Sequence, residues 1–249
     1  MGSNTDRHSV GGSGSPAACR FSIVIPVLNE QKRINLLIEH LRGLPGSESC
    51  EVIVVDGGPD AGTITAIKDT AVIAVSCHTG RGRQMNAGAA AAKGEFLVFL
   101  HADTKLPANA LGKIAQVLED GRYVAGAFDL GIDSERLMLR YIAARARMRS
   151  RLNRIPYGDQ AVFMRKSYFE QIGRFREIPI MEDVDLMGRI KKRGDKICIL
   201  RERVMTSPRR WEKEGVVFAT LRNQVLVVLY YLGVAPERLA RFYKTHTET

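Results

Sequence analysis

Three short apolar runs of this 249-residue chain end in polar residues able to hold a ligand. Pro26, Asn29 and Glu30 follow the first, Asp56, Gly57, Gly58 and Asp60 the second, and His101, Ala102 and Asp103 a later one. A carboxylate can accept from the N–H of a heterocyclic ring or hold a divalent cation, and glycine lets a backbone come close to either. Asp and Gly are also common turn formers, so each position alone says little. Three strand ends that all bring carboxylates to one edge are hard to explain by stability, because a buried carboxylate without a partner is costly. Gly80 to Asn86 opens an alanine-rich helix and sets Arg81 and Arg83 at its positive end, where a diphosphate would be held. Farther on come Gly158-Asp159-Gln160 and the pair Glu182-Asp183, the latter in a first helical turn where the macrodipole alone would favour acids.

An edge of this kind requires a sheet. The runs Phe21 to Pro26, Glu51 to Asp56, Ala71 to Ser76 and Phe96 to Leu100 have the length and turn-bounded ends of buried strands. Between them Gln31 to Leu41, Thr63 to Asp69 and Arg83 to Lys93 are helical in pattern. The alternation predicts an α/β fold: a mostly parallel central sheet flanked by helices, with ligands beyond the carboxyl ends of its strands. A helix over Pro107 to Glu119, a strand over Tyr123 to Ile132, a helix over Glu135 to Arg154, a strand over Ala161 to Met164 and a helix over Asp183 to Arg193 complete the expectation. Residues 19–211 are expected to form one domain, 212–249 a helical C-terminal extension packed on it, and 1–18 a disordered tail rich in Ser and Gly.

Composition narrows the classes. With 45% apolar and 26% charged residues the chain is ordinary for a globular protein, and no apolar run reaches the ~18 residues of a membrane span. Four scattered cysteines without a CxxC pair argue against a zinc knuckle or disulfide framework and suggest a cytoplasmic home. No GxGxxG follows the first strand, and neither GxxxxGK[ST] nor GxSxG occurs, so dinucleotide, P-loop and α/β-hydrolase sites lack support.

The strings Phe21-Ser-Ile-Val-Ile-Pro-Val-Leu-Asn-Glu30, Val52-Ile-Val-Val-Asp-Gly-Gly58 and Phe96-Leu-Val-Phe-Leu-His-Ala-Asp-Thr104 resemble the family 2 glycosyltransferases of GT-A (nucleotide-diphospho-sugar transferase) fold. The likeness covers roughly Phe21 to Trp211. Gly80 to Gly88, His-Ala-Asp-Thr and Met181-Glu-Asp-Val184 resemble most a bacterial subgroup described as transferase 2 associated with radical SAM and selenodomain proteins. The resemblance implies an inverting transferase that moves a sugar from a nucleotide-diphosphate donor to a hydroxyl acceptor. Pro26, Asn29, Glu30, Asp56, Gly57 and Asp60 would line the nucleotide pocket, and Arg81, Arg83, Asn86, His101 and Ala102 would continue it. Asp103 would hold Mg or Mn, although the first carboxylate of the usual DxD motif is here His101, which could be a second ligand, a phosphate donor or a packed residue. Asp183 would be the general base, with Glu182 supporting it. Asp159, Arg210 and Trp211 would border the acceptor or the diphosphate, and Ser207-Pro-Arg-Arg-Trp211 departs from the QxxRW of processive members.

Two rival classes follow from the residues themselves. A nucleotidyltransferase would use a similar nucleotide edge but attack an α-phosphate. A membrane-surface or anionic-ligand binding protein is suggested by charge: residues 1–135 carry 12 basic and 15 acidic side chains, a balance of −3, and residues 136–249 carry 25 and 12, a balance of +13. Nucleic acid is disfavoured, since no RNP or KH signature or exposed aromatic platform accompanies the charge. Arg136, Arg140, Arg147, Arg151 and Arg154 share one narrow helical arc beside an apolar stripe of Leu137, Tyr141, Ala144, Met148 and Leu152. The expectation is that the arginines face outward, onto a phosphorylated or lipid-linked acceptor, peripherally onto the inner membrane face, or simply onto solvent beside a core stripe.

Overall fold

The structure is a computed structural model that describes residues 19–243; the expected tail over 1–18 and the last six residues lie outside the described residues. Strands β1 (Phe21–Val27), β2 (Cys50–Asp56), β3 (Ile73–Ser76) and β4 (Phe96–Phe99) pair in parallel in the order β3-β2-β1-β4. The other half of the sheet is built from β5 (Thr104–Lys105), β6 (Ala125–Ile132), β7 (Val162–Arg165) and β8 (Ile197–Thr206), giving the full order β3-β2-β1-β4-β7-β6-β8-β5. β7 runs against both β4 and β6, and β5 runs against β8, while β6 and β8 are parallel. Six of the eight described strands therefore share one direction.

Alternation along the strands divides the core in two. Ile23, Ile25, Val52, Val54, Phe96 and Val98 point to a layer shared with α1 (Ile34–Arg42), and Val24, Ile53, Val55, Leu97 and Phe99 point to the opposite one. The expected helix over Thr63 to Asp69 is a single turn, α2 (Gly62–Thr65). Thr63, Ile64 and Thr65 are consecutive β-branched residues, poor helix formers, and the amides of Thr63 and Ile64 donate to the Asp56 carboxylate.

The helix α3 (Arg81–Ala91) lies hard against β1 and β2. A Cβ at Gly88 would stand 2.3 Å from Val24 Cγ1 and 3.0 Å from Val55 Cγ2, so glycine sets the approach of helix to sheet. Gly88→Ala is expected to cost about 1–3 kcal/mol in urea unfolding, the usual range for overpacking; a loss below about 0.5 kcal/mol, the scale of neutral surface changes, would mean that α3 can lift away at little cost.

The chain continues through α4 (Ala110–Glu119), α5 (Leu137–Asn153), α6 (Lys166–Gln171) and α7 (Glu182–Lys192), then α8 (Arg209–Glu214), α9 (Val216–Tyr231) and α10 (Pro236–Ala240) after the last strand. Leu226 of α9 and Leu239 of α10 pack with Ile180, in the loop that leads into α7. This contact brings α9 and α10 beside the acidic first turn of α7.

Helix α5 sits the opposite way from the expected one. It buries Leu139, Ala143 and Ser150, while Leu137 is 78% exposed, Met148 59% and Leu152 74%. Three of the stripe arginines turn toward the sheet. Arg147 donates to the Leu130 carbonyl at 3.0 Å, Arg151 is ion-paired with the buried Asp129 of β6, and Arg154 donates to the Ile197 carbonyl at 3.2 Å. A buried carboxylate requires a cationic partner more than the apolar stripe requires cover, and that need sets the rotation of the helix.

Candidate active site

Eight of the residues expected to act together line one cavity of about 160 Å³: Arg81, His101, Asp103, Asp159, Glu182, Asp183, Arg210 and Trp211. They arrive from the start of α3, the β4–β5 turn, the short 3-10 turn Gly158–Gln160, the start of α7 and the start of α8. Asp103 also borders a second cavity of about 690 Å³ between α1 and β8, so it stands in the wall between the two.

The start of α7 fixes the central carboxylates. Asp183 Oδ2 accepts from the Gly158 amide at 2.6 Å and Oδ1 from the Val184 amide at 2.7 Å. A Cβ at Gly158 would come within 3.0 Å of His101 Nε2 and 3.3 Å of Asp183 Oδ2, so glycine is what lets the turn reach both. Glu182, 1% exposed, pairs with Arg81 at 3.1 Å. Burial raises the Glu182 carboxyl above the usual range while Arg81 opposes the shift, and Glu182 in turn holds the Arg81 guanidinium above its ordinary value. With its charge engaged by Arg81, Glu182 is suited to positioning that guanidinium.

His101 is neutral at physiological pH, because burial first, then Arg81 and Arg210, push its pKa well below 6.5. Its Nε2 is buried without a hydrogen-bond partner. A neutral imidazole with a free nitrogen at a site boundary can serve as a ligand or hydrogen-bonding group but not as a cationic phosphate clamp.

Burial also pushes the Asp159 carboxyl up to about 6; Arg149 and Arg210 oppose the shift, and Asp183 and Asp103 add to it. The folded chain therefore binds this proton more tightly than the unfolded one, whose carboxyl titrates near 3.9. The consequence for stability is a loss as pH rises from about 4 to about 6, and none above. In EDTA, Asp159→Asn should remove this decline when urea unfolding is measured across the window. An equally steep decline in the variant would assign it to other groups.

The nucleotide half of the expected site is placed differently. Asp56 is 1% exposed, and its carboxylate accepts from the amides of Gly58 at 2.8 Å, Thr63 at 2.9 Å and Ile64 at 3.4 Å, which ties down its own loop. Gly57 is also buried, and a Cβ there would strike the Gln84 side chain at 2.9 Å. Asn29, at φ 57°, and Asp60 are exposed, and Pro26 sits in β1 opposite Val55. Glu30 is held by Arg209 at 2.7 Å, a bridge from the end of β1 to the arginine beside Arg210. Ala102 packs against the core layer under α1.

Three features of the Gly80–Gly88 stretch perform structural work that the motif alone does not reveal. Asn86 donates to the Phe175 carbonyl at 2.9 Å and accepts from its amide at 3.1 Å, and Arg83 pairs with Glu177 at 2.9 Å near the surface; neither lines the cavity. Gln84, missed as a functional position, donates to the carbonyls of Val27 and Val55, both at 2.8 Å, and so joins the ends of β1 and β2. Its signal was a polar side chain on the sheet-facing side of an alanine-rich helix. Of this motif, Arg81 alone lines the cavity.

A divalent ion fits the chemistry of these residues. Among the described residues no three His, Cys, Asp or Glu side chains converge into a ready cage. Mg in particular is commonly held by one or two carboxylates, with substrate phosphates and water completing its shell. Asp103 supplies one carboxylate, and His101, whose buried Nε2 has no hydrogen-bond partner, lines the same cavity.

Residues 22–173 match the sequence profile of the family described as Glycosyl transferase family 2. No protein of curated function matches the sequence significantly. Among solved structures the chain is similar to the mannosyltransferase PcManGT from Pyrobaculum calidifontis in complex with GDP-Man and Mn2+, at 19% identity and TM-score 0.58, with 76% of this chain and 56% of that one covered. It is also similar to S. aureus TarS 1-349 in complex with UDP-GlcNAc, at 18% identity and TM-score 0.58, with 76% and 58% covered. A second structure of TarS 1-349 gives 17% identity, TM-score 0.59 and coverages of 88% and 68%. The chain thus spans little more than half the length of the first two. At these identities the likeness establishes the GT-A type fold, in which a mixed sheet is flanked by helices.

Proposed function

Because the chain belongs to glycosyl transferase family 2, we propose that it is an inverting transferase that moves a sugar from a nucleotide-diphosphate donor to a hydroxyl acceptor. The observation that carries this reading is the meeting of Asp183, Asp103, Arg81 and Arg210 in one cavity at the sheet edge. Residues 19–211 form the transferase unit in this reading, and the described part of 212–249, as far as Tyr243, is an extension that closes one side of it.

Asp183 is the base. Its two amide donors hold the carboxylate in place and leave lone pairs to take the acceptor proton. Attack by that hydroxyl opposite the departing nucleotide inverts the anomeric centre in one displacement. Arg81, positioned by Glu182, and Arg210 present positive charge where the diphosphate leaves, and Trp211 gives the acceptor an apolar wall. When bound at Asp103, with His101 adjacent, Mg or Mn supplies further neutralisation of the leaving diphosphate. The nucleotide lies along the ends of β1 and β2, over Pro26, Asn29 and Asp60, so the Asp56 loop must loosen its own amides to reach the base.

A thermal-shift panel tests the donor class. GDP-Man and UDP-GlcNAc, held by the two structural relatives, head a set of nucleotide sugars offered with and without Mn. A ligand that binds only the folded chain raises its melting temperature. At least one nucleotide sugar should do so in a Mn-dependent way; no shift from any of them at saturating concentration would overturn the reading.

A further inference from the structure

Of the fifteen large apolar side chains that are exposed among the described residues, twelve lie on α5, on α9 or directly after α9, leaving Leu36, Met205 and Phe242 elsewhere. On α5 the exposed stripe Leu137, Tyr141, Ala144, Met148 and Leu152 lies roughly opposite the buried Leu139, Ala143 and Ser150 at about 100° per residue. On α9 only Ala219 and Leu226 are buried, although the helix is apolar almost throughout; Phe218 is 62% exposed and Leu221 58%. Met138 and Tyr141 of α5 and Val217 and Leu221 of α9 line one groove, so the exposed apolar faces of the two helices adjoin, and such a face marks an interaction surface.

We propose that the α5–α9 face docks on an anionic lipid bilayer. Charge selects that occupant. Residues 136–154 carry seven arginines and no carboxylate, and α9 carries no carboxylate either. Arg136, Arg140 and Arg145 are exposed beside the apolar stripe, so the face pairs insertable side chains with headgroup-seeking cations. A second copy of the chain suits it poorly: a two-fold contact sets the same patch against itself, bringing these arginines together with no acid on either helix to neutralise them. No described helix is long and apolar enough to cross a membrane, so the contact is one of lying on the surface.

A groove of about 440 Å³ runs between the two helices from this face to the catalytic cavity, with which it shares Tyr157, Asp159, Trp211 and Asn223. At its walls Arg149 Nε and Asn223 Oδ1 are buried without hydrogen-bond partners. An acceptor resident in the bilayer would reach Asp183 by this route, a consequence that rests on the transferase reading; the docking itself does not.

Co-sedimentation with vesicles of phosphatidylglycerol and phosphatidylcholine tests the docking. The full chain should sediment with them, and raising salt should weaken the binding without abolishing it, because screening acts on the arginines and not on inserted apolar groups. Leu137→Glu with Leu152→Glu and Phe218→Glu should lower the partition coefficient roughly tenfold or more, since three insertable groups become charges. Leu36→Glu, an equally exposed change on α1, should leave it unaltered. Both variants should keep the circular dichroism and nucleotide-sugar shifts of the wild type. The proposal is overturned if wild type stays in the supernatant, if the triple variant sediments like wild type, or if sedimentation velocity without lipid shows a dimer that the triple variant dissolves. Vesicle binding by a chain that shifts with no nucleotide sugar would leave the docking in place and remove the transferase.

Discussion

Asp183→Asn should retain nucleotide-sugar binding and lose transfer, with kcat falling by about 10²–10⁴ while the donor Kd stays near that of wild type. The amide has the size of the carboxylate but cannot take a proton. Its geometry carries a separate cost. Both carboxylate oxygens accept backbone N–H groups, so the amide NH2 must face either the Gly158 or the Val184 amide. One unsatisfied donor pair costs about 1–3 kcal/mol, which lowers the melting temperature and has to be separated from catalysis by assaying well below it. A variant that turns over normally would move the base elsewhere, with Asp159 of the same cavity next in line and Glu182 already engaged by Arg81.

The second large effect is expected at Asp103. Two phosphate charges next to a carboxylate repel it unless a cation lies between them, so nucleoside diphosphate binding should need both the ion and Asp103. By calorimetry, wild type with Mn should bind at least about tenfold more tightly than wild type in EDTA, a difference of about 1.4 kcal/mol. Asp103→Ala should bind equally weakly with or without Mn. Equal affinity of wild type with Mn and with EDTA would remove the metal from the account. A variant that keeps the Mn effect would remove Asp103 as the ligand.

The parallel half of the sheet was legible in the sequence because β1, β2 and β4 are apolar runs that end in turn residues. β8 was not, since Arg201, Glu202 and Arg203 interrupt its pattern where β6 shifts register between Phe128 and Asp129. The pairing of Asp183 with the turn at Gly158 joins segments 25 residues apart, and that of Arg81 with Glu182 segments 101 apart. Spacing cannot show such meetings; the resemblance supplied the residues and the fold brought them together. Asp56 and Asn86 show the opposite limit: polar residues at motif positions that hold a loop and a neighbouring segment in place. The helix over Leu137 to Asn153 misled for a physical reason. Amphipathic patterning assumes that the apolar stripe is the buried one, and the buried Asp129 carboxylate, with its claim on Arg151, reverses that assignment.

In the proposed reaction the anomeric bond of a nucleotide sugar is the bond broken. Incubation of the chain with its stabilising nucleotide sugar, Mn and a pool of hydroxyl acceptors, followed by phosphorus NMR, reads that bond directly. Nucleoside diphosphate should accumulate, and its formation should be suppressed in Asp183→Asn. Cleavage of the pyrophosphate link instead, giving sugar phosphate and nucleoside monophosphate, or release of pyrophosphate when nucleoside triphosphate and sugar phosphate are supplied, would place the chemistry at phosphorus and contradict it.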